Sequence, residues 1–185
     1  SWAANGAGHL VSHKYGYGVI DAGAAVSAAI DWTPSEVEVS TTSGTIETNL
    51  AIPDNTGEVV YSNTTVSDAI QIENIDVIVD LPHTFRGDME LILTSPSGSQ
   101  SVLAEKHGDS GNNFNNWRFG TVQHWGEDSR GEWSLSLEDQ GNGDSGTLNE
   151  WELIIYGTQM ILDSDGDNLT DTNETCLLYT SDAAD

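Results

Sequence analysis

The chain has 185 residues, enough for one well-buried domain with flanking segments, and carries 30 acidic against 5 basic side chains, a net charge of −25. This acidity disfavours nucleic acid and anionic membranes as partners, because both are bound through clustered Lys and Arg. The single cysteine excludes an internal disulfide, and no apolar run approaches the ~20 residues that span a bilayer.

The first 31 residues lack the pattern of an independent domain. A Gly-rich turn at residues 15–18 precedes an Ala-rich stretch, residues 19–30, in which Val19 and Val26 fall on one helical face. We predict a short helix with Asp21 near its start. A lone helix of about twelve residues with such small side chains cannot form a core, so we expect it to pack against a domain that precedes this chain.

Residues 32–34 have the composition of a linker, and residues 35–67, rich in Thr and Ser, are expected to begin a β-sandwich. Short strands are predicted at residues 37–39, 46–52 and 58–61, with turns at residues 53–55 and 63–65.

The stretch from Ile75 to Thr158 has the two-residue period of strands with one buried face. The alternating apolar positions are Ile75, Val77, Val79 and Leu81, then Met89, Leu91 and Leu93, then Trp133, Leu135 and Leu137, and finally Trp151, Leu153 and Ile155. Both tryptophans are therefore assigned to the core.

Two irregularities interrupt this pattern. The apolar phase shifts between Ile72 and Ile75, which predicts a bulge or bend near Asn74. Residues 108–116 have no period and are predicted to be a loop. Regular short strands separated by turn clusters predict a mostly β fold, an antiparallel β-sandwich or jelly roll, with one short N-terminal helix.

An ordered series of short motifs runs through the same stretch. In chain order they are His83-Thr84, Gly87-Asp88, Ser95-Pro96-Ser97-Gly98, Trp125-Gly126-Glu127, Gly131-Glu132-Trp133, Asp139, Trp151 and Gly157-Thr158. The series resembles the P domain (P/homo B domain) that follows the catalytic domain of kexin-like subtilisins.

A second series lies upstream, in the order that this family uses. It consists of Asn5-Gly6-Ala7-Gly8, Val11-Ser12-His13, Tyr15-Gly16-Tyr17-Gly18 and Asp21-Ala22. It resembles the last segment of the kexin-type catalytic domain, with Tyr17 where that family usually has Phe.

The resemblance implies a division into domains. Residues 1–32 are expected to be the end of an α/β subtilisin-like catalytic domain, and residues 33–159 a P domain that packs on it and stabilises it. The parent protein is expected to be a secreted, extracellular, bacterial serine endopeptidase that acts on peptide or protein substrates.

Catalytic residues are not expected in this chain. The family's Asp, His and Gly-Thr-Ser motifs do not occur in it, so we predict no peptidase activity for the fragment alone. His13, His83 and Ser95 are assigned structural roles.

Residues 160–174 contain the strongest candidate metal site. Asp163, Asp165, Asp167, Asp171 and Glu174 occupy positions 1, 3, 5, 9 and 12 of a twelve-residue calcium loop, with Asn168 in place of the usual Gly. The pattern resembles the calcium repeats of thrombospondin type 3 domains, and we predict that these residues bind calcium. Residues 175–185 resemble translated adapter sequence and are expected to be an artefactual or disordered tail.

Four aspartates in predicted turns are weaker candidates for a second calcium site, since turn chemistry alone explains Asp there. They are Asp88, Asp109, Asp139 and Asp144.

Two other functions fit the sequence. In a carbohydrate-binding module, Trp117 and Trp125 would stack on sugar rings; the alternative for these side chains is burial under a loop or against the catalytic domain. The second alternative function is that of a calcium-dependent structural or adhesive module.

Overall fold

A computed structural model describes residues 1–33 and 36–160, and these residues are mostly β structure, as predicted. In chain order the elements are β1 (Ala3–Ala4), β2 (Leu10–Val11), α1 (Ala22–Ala29), β3 (Glu38–Thr42), β4 (Ile46–Ile52), β5 (Val60–Val66), β6 (Ile70–Leu81), β7 (Met89–Thr94), β8 (Gln100–Ala104), β9 (Phe114–Thr121), β10 (Gly131–Asp139) and β11 (Gly146–Gln159). A 3₁₀ turn at Arg86–Asp88 leads into β7.

Two antiparallel sheets form a sandwich. The four-stranded sheet has the order β5-β10-β7-β8, and in the five-stranded sheet β3 and β4 share one edge of β11, followed by β6 and β9. The strands of the small β1–β2 hairpin pair with each other and with no strand of either sheet.

The alternating apolar side chains of both sheets meet in one core. Leu91, Leu93, Leu135 and Leu137 come from the four-stranded sheet, and they join Val77, Val79, Leu153 and Ile155 from the other. Trp133 and Trp151 are 0 % and 1 % exposed, which confirms their assignment to the core. Burial of each large aliphatic side chain contributes about 1.5–3 kcal/mol, so this inner layer is the main source of stability.

The predicted irregularity near Asn74 is a β-bulge. Tyr156 of β11 pairs with Asn74, whereas the next residue, Gly157, pairs with Ile72 and leaves Glu73 without a partner. A Cβ at Gly157 would overlap the backbone oxygen of Gln71, so the strands approach too closely there for any side chain.

Two sequence-based assignments are wrong. Residues 63–65, predicted to be a turn, lie within β5, and residues 114–116, predicted to be a loop, begin β9. Both strands are sheet edges, and the misassigned residues include the exposed polar side chains of Asn63, Thr65, Asn115 and Asn116, so they show no apolar alternation strong enough to separate them from a loop.

The N-terminal helix is shorter than predicted and lies on the surface. It spans Ala22–Ala29, and the Asp21 side chain caps it by accepting a hydrogen bond from the Ala24 N–H at 2.9 Å. None of its residues is buried. Within the described residues, no helix has the length and apolar character that a membrane crossing requires.

Candidate functional site

The candidate site is the contact between residues 1–18, here called the N-terminal segment, and two turns of the sandwich. The 95–99 turn connects β7 to β8, and the 122–127 turn lies between β9 and β10. Asn5 and Gly6 reach both turns, although about a hundred residues separate them in the chain.

Asn5 ties the N-terminal segment to the 122–127 turn. Its amide nitrogen donates to the carbonyl oxygens of Gln123 at 3.1 Å and Trp125 at 2.9 Å. Its carboxamide oxygen accepts from the Ala7 N–H at 3.1 Å and the His9 N–H at 2.9 Å. The residue is 6 % exposed, so the side chain both shapes its own loop and satisfies backbone groups of the sandwich.

Glu127 completes the contact from the sandwich side. Its carboxylate accepts from the Gly6 N–H and from the Ser97 hydroxyl, each at 2.9 Å. The Gly6 N–H also donates to the Ser99 hydroxyl at 2.9 Å. A Cβ at Gly6 would overlap Ser97, so only glycine allows the backbone to approach the 95–99 turn this closely.

The Glu127 carboxyl is ionised despite being almost fully buried. Burial opposes its ionisation, but the neighbouring His124 ring, serine hydroxyls and Gly6 N–H outweigh burial and lower the pKa of Glu127 to about 2. An anion in this position strengthens both of the hydrogen bonds that it accepts.

His124 lies beneath the same carboxylate. Its ring is fully buried, with its edge toward the Trp133 indole at 5.2 Å between centroids, and its Nδ1 is 3.7 Å from Glu127 Oε2. Neither ring nitrogen has a hydrogen-bond partner. The 122–127 turn is therefore packed on the core by an imidazole as well as held by hydrogen bonds.

Aromatic side chains cover the contact. The Tyr17 hydroxyl donates to the Val122 carbonyl at 2.8 Å, and the Tyr17 ring meets Trp125 edge to face at 5.9 Å. Burial under these groups raises the pKa of Tyr17. Beside them, a cavity of about 340 Å³ separates the β1–β2 hairpin from β8 and is lined in part by Ala4, Val11, Gln100 and Val102.

The structure assembles no catalytic group from the three side chains considered in the sequence. The His13 Nε2 is 3.8 Å from a Glu105 carboxylate oxygen at the surface. His83 is buried and its Nε2 lies 3.2 Å from Asp139 Oδ2. Ser95 is buried with its hydroxyl 2.8 Å from that of Ser97. Within the described residues no hydrogen bond joins a serine hydroxyl to a histidine ring.

The predicted calcium ligands Asp163, Asp165, Asp167, Asp171 and Glu174 lie outside the described residues. The four turn aspartates are described, and each contacts a different side chain. Asp88 is 4.0 Å from Lys106, Asp109 is 2.7 Å from Arg86, Asp139 contacts His83, and Asp144 accepts from Thr84. Across residues 1–33 and 36–160, no three His, Cys, Asp or Glu side chains converge to hold a metal, so the second calcium site is not supported.

The two tryptophans proposed for sugar stacking occupy different clusters. Trp117 contacts Phe114 and Phe119, and the Arg86 guanidinium lies over its ring at 5.0 Å. Trp125 lies beyond the end of β9, four residues after Thr121, and packs on Tyr17. The four residue steps from Trp117 to Thr121 alone span about 13 Å of strand, and the aromatic contacts of Trp117 and Trp125 do not include one between the two rings.

Sequence reasoning quoted Asn5, Gly6 and Glu127 as parts of motifs but gave them no role. The signal available was an Asn-Gly pair and a Trp-Gly-Glu turn in two distant motifs. Only the folded chain shows that these motifs meet.

Comparisons with known proteins identify relatives of the sandwich. The family model described as the proprotein convertase P-domain matches residues 72–155. Human neuroendocrine convertase 2 is 36 % identical over 170 residues, covering 85 % of this chain and 26 % of that protein. Rat furin is 37 % identical over 167 residues, covering 85 % of this chain and 21 % of that protein.

A solved structure has the same fold. The serine protease of Aeromonas sobria, crystallised in complex with its chaperone, superposes with a TM-score of 0.78 at 23 % identity, covering 86 % of this chain and 34 % of that one. The chain thus spans about a quarter of the curated relatives and a third of this protease. Residues 72–155 of this chain are therefore a P domain of the subtilisin/kexin-like proprotein convertase family.

Proposed function

We propose that this chain is part of a secreted subtilisin/kexin-like serine endopeptidase, in which the P domain packs against the catalytic domain and stabilises it. The relatives are convertases and the matched fold is that of a serine protease, which supports this assignment. Catalysis itself would come from residues outside this chain.

The main support for the proposal is that residues 1–30 are bound to the sandwich at one end and expose apolar side chains at the other. At one end, Asn5 and Gly6 are hydrogen bonded to the sandwich. At the other end, apolar side chains face solvent: Val19 is 100 %, Val26 69 % and Ile30 81 % exposed. A catalytic domain that covers these side chains would be joined rigidly to the sandwich through the N-terminal segment.

In this proposal, catalysis belongs to the catalytic domain and binding to the P domain. Acyl transfer by a serine endopeptidase needs a nucleophilic serine, a histidine base and an oxyanion hole. This chain supplies a binding surface instead, so purified residues 1–185 are expected to leave peptide substrates uncleaved. Turnover that a serine-directed inhibitor abolishes would contradict this division.

A chimera tests the docking role. In rat furin, this chain would replace the region that it matches, and secreted activity on a fluorogenic peptide with a basic residue before the scissile bond would be measured. We expect activity well above that of furin lacking the region. The matched control carries Leu153→Asp, which breaks the sandwich core and should remove the activity. Equal activity with and without the intact core would overturn the proposal.

Calcium binding by Asp163, Asp165, Asp167, Asp171 and Glu174 is a separate proposal that rests on the spacing of oxygen donors in the sequence. When bound, the ion would neutralise acids that otherwise repel each other. Isothermal titration of the chain with calcium should give saturable heat, which Asp165→Asn with Asp167→Asn removes and Asp182→Asn leaves. Equal heat from all three proteins would exclude this loop as the site.

A further inference from the structure

The outer edge of β5 has the properties of a strand-addition site. β5 is the last strand of the four-stranded sheet and pairs with β10 along its whole length, from Val60 opposite Leu137 to Val66 opposite Gly131, with no bulge. Its other edge has no strand partner within the described residues. A row of free N–H and C=O groups of this kind is a template for another strand.

The other edges of the sandwich are protected by charge, length or cover. β3 contains Glu38, β4 contains Glu47 and β9 contains Arg118. β8 is only five residues long, and Gln100 and Val102 in it line the cavity under the N-terminal segment. β5 has seven residues, none charged and none proline, so it lacks the usual devices that prevent edge pairing.

Carboxylates surround this uncharged edge. Glu58 precedes the strand, Asp68 follows it, and both are exposed. Glu132 of β10 is exposed and lies opposite Thr65, with its carboxylate 3.4 Å from the Asn63 amide nitrogen. Arg130, which precedes the β10 residue opposite Val66, is itself paired with Asp128 at 3.0 Å. The electrostatic potential is therefore negative at both ends of the β5 edge.

We propose that β5 binds an extended peptide that carries Lys or Arg on both sides of a run of β-branched residues. Six residue steps from Val60 to Val66 span about 20 Å, which sets the separation of the two basic ends. Backbone hydrogen bonds hold the peptide, and the flanking carboxylates select its charge.

Two other occupants are disfavoured by charge. A second copy in antiparallel register brings Glu58 of each copy near Asp68 of the other, on chains of net charge −25. Residues 161–185 of the same chain contain several acids and no Lys or Arg, so the same carboxylates repel them.

Binding of a synthetic peptide to the full chain tests the proposal. The probe is an eleven-residue peptide with Lys-Lys at each end and seven alternating Val and Thr residues between them. Fluorescence anisotropy measures its binding, and amide hydrogen exchange of the chain locates it. We expect saturable binding that weakens with added salt, together with slower exchange of amides in residues 60–66. A peptide with Glu in place of Lys, and one with Pro at the central residue, should bind at least tenfold more weakly.

Matched variants locate the site. Asn63→Lys places a cation on the edge and should weaken binding at least fivefold, whereas Ser40→Lys makes the same change on the exposed β3 edge and should have little effect. Equal effects of the two variants, no saturable binding, or protection outside β5 would overturn the proposal. A concentration-dependent dimer that Asn63→Lys abolishes would overturn it in favour of a second copy.

Discussion

The Gly6 N–H donates a hydrogen bond to the Glu127 carboxylate at 2.9 Å, although 121 residues separate them in the chain. On the sandwich side this bond ends at a side chain that is almost fully buried, since Glu127 is 3 % exposed. Because the acceptor is an anion held at low pKa, the bond is a charge-assisted one. The Glu127 carboxylate should therefore contribute to the attachment of the N-terminal segment, together with Asn5 and Tyr17.

Glu127→Gln should loosen the N-terminal segment more than it destabilises the sandwich. The carboxamide keeps the shape but removes the charge and leaves one acceptor oxygen for the Gly6 N–H and the Ser97 hydroxyl, so the loss of one such hydrogen bond should cost about 0.5–1.5 kcal/mol. Amide hydrogen exchange should show faster exchange at Gly6 and in the 122–127 turn. Glu132→Gln removes an exposed carboxylate and is the control; if it accelerates Gly6 exchange as much, the assignment is wrong.

The same carboxyl predicts a loss of stability in acid. Its pKa in the folded chain is about 2, below the ordinary 4.5, so the ionised form stabilises the folded state above about pH 4.5. This contribution is lost progressively as the pH falls from about 4.5 toward 2. Arg86 and Arg130 also lower the pKa values of Asp109 and Asp128, so acid destabilises the wild type through several groups.

The contribution of Glu127 is isolated by comparison with Glu127→Gln. The difference between the two proteins in unfolding free energy should be largest near neutral pH and should shrink on acidification. Denaturant unfolding at a series of pH values measures it. A difference independent of pH between 5 and 2.5 would show that the Glu127 charge does not stabilise the fold.

Asn5→Ala should detach the N-terminal segment. The substitution removes two donated and two accepted hydrogen bonds at a buried position, which we expect to cost about 2–4 kcal/mol of local stability. Exchange at the Ala7 and His9 amides should rise strongly, and limited proteolysis should cut the segment sooner. Asn142→Ala, which removes one exposed contact with Asn55, is the matched control and should leave proteolysis of the segment unchanged.

The sandwich could be predicted from sequence because its inner layer alternates with period two. Alternating apolar residues such as Leu91, Leu135 and Leu153 predicted their strands correctly, and the shift of the apolar phase before Ile75 predicted the position of the bulge. β9 and the second half of β5 were missed because an edge strand buries little, so its outward Asn and Thr residues look like those of a turn.

The candidate site could not be predicted because its hydrogen bonds join residues that lie far apart in the sequence. Asn5 and Glu127 carry no periodic signal, and their importance depends on backbone groups that two turns present in space. The family resemblance placed both residues in motifs but did not say that the motifs meet. His124 shows the same limit, since nothing in its sequence neighbourhood indicates full burial.

Gly87→Ala should destabilise the sandwich near the start of β7. A Cβ at this buried position would overlap the Asp109 backbone oxygen and lie 2.6 Å from that of His107. Overpacking of this kind costs about 1–3 kcal/mol, because the 107–109 loop is held against the turn by backbone hydrogen bonds to Gly87. Gly108→Ala in the same loop meets nothing within 4 Å and should be neutral within about 0.5 kcal/mol. Similar melting temperatures for the two variants would contradict this close packing.

Added salt should stabilise the chain, and Glu90→Gln should do so at low salt. Glu90 and Glu138 lie directly opposite each other on β7 and β10, within a chain of net charge −25. Removing one charge of such a pair is worth about 0.2–1 kcal/mol, and the gain should fade as the screening length shrinks from about 10 Å at 0.1 M to 3 Å at 1 M salt. Thermal unfolding over a salt series measures both effects, with Glu36→Gln, outside the strands, as the control for net charge alone. If Glu36→Gln raises the melting temperature equally, overall repulsion rather than the cross-strand pair is the cause.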